Sequence, residues 1–262
     1  MIKTCVIFAG GRGTRLMPVT DTIPKPLVEI GGKPIMWHIM RYLHHLGVTR
    51  FIIATGYKHE KVVEYWANYG ICHAPEIDIS PQGPKTGLQN GLENWEISIK
   101  NTGIVDGTAS RLRQLRDRIS DDRFLVAYGD NLADIDLAKL EMAYEKERTE
   151  GSVGVITTYQ PNSRFGVVEF EGTRVKRFIE KPKLSQYINI GFMVFSMEIF
   201  DFIKNADTED MLEFTTLPEL TKQGRLGQHT HTGFWEPMDS YRDYVHLNEL
   251  WETGKAPWKK WK

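Results

Sequence analysis

The sequence predicts an α/β protein, a mostly parallel mixed sheet flanked by helices and followed by a small C-terminal tail. Three observations carry this prediction. Short apolar runs alternate with helical patterns through the first half of the 262 residues, the signature of helices covering both faces of a sheet. The first apolar run stops abruptly at Gly10-Gly11-Arg12-Gly13, and a later one stops at Gly129-Asp130. Both polar turns therefore follow strands, at the sheet edge where open α/β folds bind ligands.

Thr4 to Phe8 reads as the first strand. Ile35 to Leu46 has helical spacing, with Pro34 near its start and Gly47 at its close. Phe51 to Ala54 is a second strand, and His59 to Tyr69 a helix with Val62, Val63, Trp66 and Ala67 near one face. The pattern weakens from Gly70 to Gly107, apart from an alternating strand over Glu96 to Lys100. Thr108 to Ile119 reads as a helix, Arg123 to Tyr128 as a strand, and Leu137 to Thr149 as a helix with a charged outer face. Strands follow at 154–158, 166–170, 174–180 and 189–195, then a short helix over 197–205. From His229 the chain is rich in aromatic residues, with a helix near Tyr241 to Trp251. The expected division is a main domain over 1–228 and an aromatic-rich extension over 229–262, packed on that domain or on a neighbouring subunit.

Composition narrows the function classes. Lys and Arg number 33 against 34 Asp and Glu, a balance that argues against general nucleic-acid binding. Cys5 and Cys72 are too few for a disulfide framework or a paired metal motif. No charged leader precedes a long apolar segment, and no apolar run is long enough to cross a bilayer. The expectation is a cytoplasmic protein with no membrane partner.

The glycine turn is the strongest motif. Gly10, Gly11 and Gly13 let backbone N–H groups approach an anion closely, and Arg12, Arg15 and Lys25 add positive charge. The spacing matches neither G-x-G-x-x-G nor a P-loop, which counts against a dinucleotide fold and a P-loop ATPase. A plain tight turn leaves Thr14-Arg15 and Pro24-Lys25-Pro26 unexplained. Asp130, at a strand end, suits either a divalent cation or a simple turn. Asp134 and Asp136 read as residues that precede or cap the next helix. Asp239 taken alone reads as the N-cap of the Tyr241 helix, and Glu180-Lys181-Pro182 as a surface turn. The eight histidines form no zinc pattern, and no G-x-S-x-G element occurs.

Taken in order, Ala9-Gly10-Gly11-Arg12-Gly13-Thr14-Arg15-Leu16, Pro24-Lys25-Pro26-Leu27, Tyr128-Gly129-Asp130, Glu180-Lys181-Pro182 and Asn189-Ile190-Gly191-Phe192 resemble the sugar-nucleotide pyrophosphorylases. Within that family the chain is most similar to the members that transfer cytidylyl groups to glucose 1-phosphate. The narrower likeness rests on Val28-Glu29-Ile30-Gly31-Gly32-Lys33-Pro34, Arg164-Phe165-Gly166 and Gly233-Phe234-Trp235-Glu236-Pro237-Met238-Asp239.

The resemblance implies a Rossmann-like nucleotidyltransferase fold and the reaction of CTP with a sugar 1-phosphate to give a CDP-sugar and pyrophosphate. It implies that Gly10, Gly11, Gly13, Thr14 and Arg111 bind the nucleotide, and that Arg15 and Lys25 act on its phosphates. It assigns Mg²⁺ to Asp130 and Asp239, which displaces the N-cap reading of Asp239, and the acceptor to Lys181 and Asn189. It also implies a homo-oligomer. The chain departs from these relatives at Thr108-Ala109-Ser110-Arg111, near the expected base pocket, and at Ile190, near the expected acceptor. The stretch Ile71 to Asn94 also departs and would reshape a lid or subunit contact. The open alternatives are another phosphorylated acceptor (a different hexose 1-phosphate, phosphocholine or a phosphorylated amide), another NTP, or a non-catalytic regulatory homologue.

Overall fold

From Thr4 onward successive side chains turn to opposite sides. Val6 and Phe8 join one buried cluster, while Cys5, Ile7 and Ala9 join another. A strand buried on both faces gives this period of two with no polar interruption. The computed structural model describes residues 1–17, 19–72, 77–80, 83–86 and 94–261. The stretch Ile71 to Asn94 thus lies partly outside the described residues.

Strand β1 (Thr4–Ala9) leads through short 3-10 turns, the last at Lys25–Leu27, to a small hairpin of β2 (Glu29–Ile30) and β3 (Lys33–Pro34). Helix α1 (Ile35–His45), β4 (Arg50–Thr55) and α2 (His59–Cys72) follow. Next come β5 (Ile77–Ser80), β6 (Gly83–Thr86), β7 (Glu96–Asn101) and α3 (Thr108–Gln114). The middle of the chain supplies β8 (Arg123–Tyr128), β9 (Asn131–Ala133), α4 (Leu137–Thr149) and β10 (Gly154–Tyr159). A separate hairpin, β11 (Val167–Glu171) with β12 (Arg174–Ile179), precedes β13 (Ile188–Ser196) and α5 (Ile199–Ile203). A π-helical turn (Leu212–Thr216) runs into α6 (Leu217–Lys222), then β14 (Leu226–His231), β15 (Trp235–Pro237) and α7 (Tyr241–Glu252).

Seven strands form the main sheet in the order β14-β10-β13-β8-β1-β4-β7. Strand β13 pairs antiparallel with β8 and β10, and the remaining pairs are parallel. The sheet is therefore mixed and mostly parallel, as the alternating pattern implies. Helices α1, α2, α4 and α7 cover one face, and α3, α5 and α6 cover the other. Among the described residues no helix is long and apolar enough to cross a membrane.

Several elements differ from the sequence pattern: β2, β3, β9, β15 and α6 lie outside it, and α3 and β14 depart from it for visible reasons. Helix α3 ends at Gln114 and continues as a 3-10 turn over Arg116–Arg118. Leu112, Leu115 and Ile119 stay buried across the change, so the apolar spacing persists while the backbone tightens. Strand β14 has no strong apolar alternation because it is an edge strand bonded on one side to β10. The expected boundary at 228 falls inside it.

The C-terminal tail packs on this same chain. Trp258 is fully buried, stacks on Phe234 and donates its indole N–H to Nδ1 of His38 at 3.3 Å. His38 Nε2 lies 2.7 Å from the Ile30 carbonyl, which only accepts. Both contacts therefore need the neutral ring with its proton on Nε2. Burial pushes the His38 pKa down to about 4. An unfolded histidine titrates near 6.5, so the unfolded chain takes up this proton first as pH falls. His38 accordingly contributes no pH dependence well above pH 6.5 and destabilises the fold progressively from about pH 6.5 down to about 4, by roughly 3 kcal/mol at the lower end. Denaturant melts of wild type and His38→Gln across that window will show a shallower acid decline in the variant. Parallel declines would rule out His38 as the group responsible.

Candidate active site

A cleft of about 570 Å³ opens at the carboxyl ends of β1 and β8. Gly11, Gly13, Thr14, Arg15, Lys25, Asp130 and Asp239 all line it. Residues from three distant parts of the sequence therefore meet at one place.

The loop after β1 is shaped by two close approaches. Gly13 takes a left-handed conformation with φ of 63°, and a Cβ there would come within 2.9 Å of Lys25 Cβ. Its carbonyl accepts from the Thr20 hydroxyl at 2.9 Å and from the Leu16 N–H at 3.0 Å. Behind the loop, a Cβ on Gly10 would fall 2.1 Å from the Arg111 guanidinium. Arg111 is buried and donates to the Thr55 carbonyl at 3.0 Å and the Thr102 hydroxyl at 2.6 Å. Burial lowers its pKa, and Asp106 opposes that shift.

Lys25 sits on its 3-10 turn between extended Pro24 and Pro26, whose fixed φ angles limit how the turn can relax. Its side chain is only 10% exposed, and Nζ stands 2.7 Å from Asp130 Oδ2 and 2.6 Å from Asp239 Oδ1. Burial works against the ammonium, but attraction to Asp130 and hydrogen bonds to both carboxylates outweigh it and raise the Lys25 pKa. Burial likewise disfavours the Asp239 carboxylate, yet Lys25 and the more distant Arg15 hold its pKa below the usual value. Arg15 reaches Asp239 at 3.8 Å with its side chain 83% exposed, a loose ion pair.

The two aspartates meet because β9 pairs antiparallel with β15, placing Asn131 opposite Pro237. The Met238 N–H then donates to the Asp130 carbonyl at 2.9 Å. Two residues later, Ser240 caps α7 in a reciprocal capping box with Asp243. Asp239 is thereby released from helix capping, and its carboxylate faces Lys25. Asp136 caps α4 through the Lys139 N–H at 3.1 Å, as its position before a helix suggests.

Other residues singled out in the sequence lie elsewhere. Gly10 and Arg111 stand behind the loop, outside the cleft lining. Lys181 is on the segment leaving β12, half-exposed, 3.6 Å from Glu180. The Asn189 side chain accepts from the Gly191 N–H at 3.1 Å and is also outside the lining. Ile190 is buried in the core against the α1 face of the sheet, since the alternation of β13 turns it inward. Ala109 is likewise in the core, and Ser110 donates to Asp106 at 2.8 Å. None of Ala109, Ser110 and Ile190 therefore lines the cleft.

The cleft also contains Glu213, which no motif indicated, beside residues including the motif residue Tyr128. Glu213 lines it from the π-helical turn, with Met211, Thr108, Tyr128 and Phe8. Its one sequence signal is an acid set among Met211, Leu212 and Phe214.

Comparison with known proteins shows the family and the fold. The nucleotidyl transferase family model matches residues 4–253. A glucose-1-phosphate cytidylyltransferase of Salmonella typhi is 40% identical over 98% of each chain. A mannose-1-phosphate guanylyltransferase catalytic subunit beta of Danio rerio is 30% identical over 92% of this chain and 62% of its own. The crystal structure of HddC from Yersinia pseudotuberculosis, complexed with GMP-PN, has the same fold, with a TM-score of 0.68 at 24% identity, covering 95% of this chain and all of that one. Matched by the family model over nearly its whole length and by a relative from end to end, the chain belongs to the nucleotidyl transferase family.

Proposed function

We propose that the protein transfers the cytidylyl group of CTP to glucose 1-phosphate, giving CDP-glucose and pyrophosphate. The placement of Lys25 in the cleft carries this reading: a buried, fully ionised amine beside a glycine loop and two carboxylates. End-to-end similarity to a glucose-1-phosphate cytidylyltransferase supports the choice of substrates.

The reaction is an in-line displacement at the α-phosphorus. An oxygen of the sugar phosphate attacks, the bond to the bridging oxygen breaks, and pyrophosphate leaves. The attacking phosphate is already ionised near neutral pH, so the protein's work is alignment and charge neutralisation. The N–H groups of Gly11, Gly13 and Thr14 hold the phosphate chain, and Arg15 neutralises the leaving pyrophosphate. Lys25 neutralises the α-phosphate, where negative charge concentrates as the nucleophile arrives. Arg111 and Gly10 act on the nucleotide through the loop they shape. Lys181 and Asn189, which stand outside the cleft lining, are assigned to the acceptor by the family resemblance alone.

The donor set fits Mg²⁺. Asp130 and Asp239 already share one cationic partner, Lys25, and two carboxylates facing a polyphosphate need positive charge between them. Among the described residues no three His, Cys, Asp or Glu side chains gather as a cage, which suits a cation that takes its remaining ligands from water and phosphate. When bound, Mg²⁺ supplies positive charge to the phosphates and the leaving oxygen.

We further propose a cytoplasmic homo-oligomer. Supporting assembly, Phe165, Phe170 and Phe178 on and beside the β11–β12 hairpin are each more than 60% exposed. An isolated two-stranded hairpin of this kind is marginal in water.

A pyrophosphate-release assay crossing the four ribonucleoside triphosphates with glucose 1-phosphate, mannose 1-phosphate and phosphocholine tests the assignment. The expected result is turnover with CTP and glucose 1-phosphate, and a loss of about 10²- to 10³-fold in kcat for Lys25→Met. Preference for another pair would overturn the substrate assignment, and near wild-type turnover by Lys25→Met would overturn the mechanism.

A further inference from the structure

We propose that Glu213 is the acceptor for the ribose hydroxyls of the nucleotide, and that it sets the preference for ribonucleotides over 2′-deoxyribonucleotides. The inference rests on the nucleotidyl-transfer reading of the cleft and adds a residue to it.

The two walls of the cleft come from opposite faces of the sheet. Lys25 and Asp239 stand beside Leu27 and Met238, which belong to the core under α1 and α7. Thr108 and Glu213 stand beside Ala109 and Leu212, which belong to the core under α3 and α6. The first wall is ionic and takes phosphates. The second presents Phe8, Tyr128, Met211, Thr108 and Glu213, with Glu213 its one charged group. A carboxylate repels phosphate, so this wall suits the part of the nucleotide that carries hydroxyl donors and a flat base.

The Glu213 carboxylate is held in place by its neighbours. The Thr108 hydroxyl donates to Oε2 at 2.7 Å and itself accepts from the Leu212 N–H at 2.8 Å, which fixes where its proton points. The Tyr128 hydroxyl donates to Oε1. The Tyr128 ring lies over Gly191, where a Cβ would come 2.0 Å from it, so no side chain intrudes there. An ionised carboxylate has about four acceptor positions, and these two hydroxyls use two of them. The remaining pair, on one fixed and preoriented group, matches the vicinal 2′- and 3′-hydroxyls of a ribose. A carboxylate receiving a ribose 2′-hydroxyl is a recurrent device in α/β nucleotide sites.

The hexose acceptor also carries vicinal hydroxyls, and the test separates the two sources. Initial rates are measured for wild type and Glu213→Gln with CTP and with dCTP, each over a range of glucose 1-phosphate concentrations. Wild type should favour CTP by tenfold or more in kcat/KM, the order expected for a charge-assisted hydrogen bond. In Glu213→Gln that ratio should fall at least fivefold, with the KM for glucose 1-phosphate unchanged. If the variant loses rate equally with both nucleotides, Glu213 merely braces Tyr128 and the proposal fails. It fails equally if the ratio holds and the KM for the sugar phosphate rises, which would assign the carboxylate to the hexose. A wild type that turns over another ribonucleotide in place of CTP would instead refute the substrate assignment, and the same ratio would then be measured with that nucleotide and its deoxy form.

Discussion

The ammonium of Lys25 lies 2.7 Å from Asp130 and 2.6 Å from Asp239, and the rest of the site is arranged so that this triangle can exist. Its three corners lie far apart in the sequence. Two prolines hold the Lys25 turn, the end of β8 delivers Asp130, and the β9–β15 ribbon brings Asp239 back across the chain. Glycine at position 13 leaves space for the Lys25 stem. Removing any of these supports would leave like-charged carboxylates facing each other, or a buried amine without a partner, both costly in a partly desolvated cleft.

The same triangle explains how a neutral-looking protein handles polyanions. Lys25 and Arg15 offset the two aspartates, so the cleft carries little net charge before substrate arrives. On the proposed mechanism, incoming phosphates compete with the carboxylates for Lys25, which frees the carboxylates for a divalent cation. The opposite wall, with Glu213, Tyr128 and Thr108, has no cation in its lining, which fits the proposed role of Glu213 toward the ribose hydroxyls. One sheet edge thus divides the work between its two faces.

Local features were readable from the residues alone. The apolar strand running into Gly10, the prolines around Lys25 and the acid after β8 all depend on neighbours within a few positions. The role of Asp239 did not follow from its surroundings, because its release from helix capping depends on Ser240 taking the cap and on pairing with a ribbon about a hundred residues away. Family resemblance supplied that link. The resemblance assigns Arg111 to the nucleotide, and α3 places its guanidinium behind the loop, bonded to Thr55 and Thr102. Ile190 looked like an acceptor-side residue, yet strand alternation turns it into the core. Glu213 gave little sign of itself, since a π-helical turn has no sequence signature and its partners Thr108 and Tyr128 come from other elements.

On the proposed mechanism, Lys25 occupies the partnership that a divalent cation takes when substrate is bound. Mn²⁺ binding followed by electron paramagnetic resonance, without nucleotide, tests it most directly in wild type and in Lys25→Met, with circular dichroism confirming that both are folded. Wild type should bind weakly and Lys25→Met at least tenfold more tightly, with the gain lost again when Asp130→Asn is added. Equal Mn²⁺ affinity in wild type and Lys25→Met would contradict it.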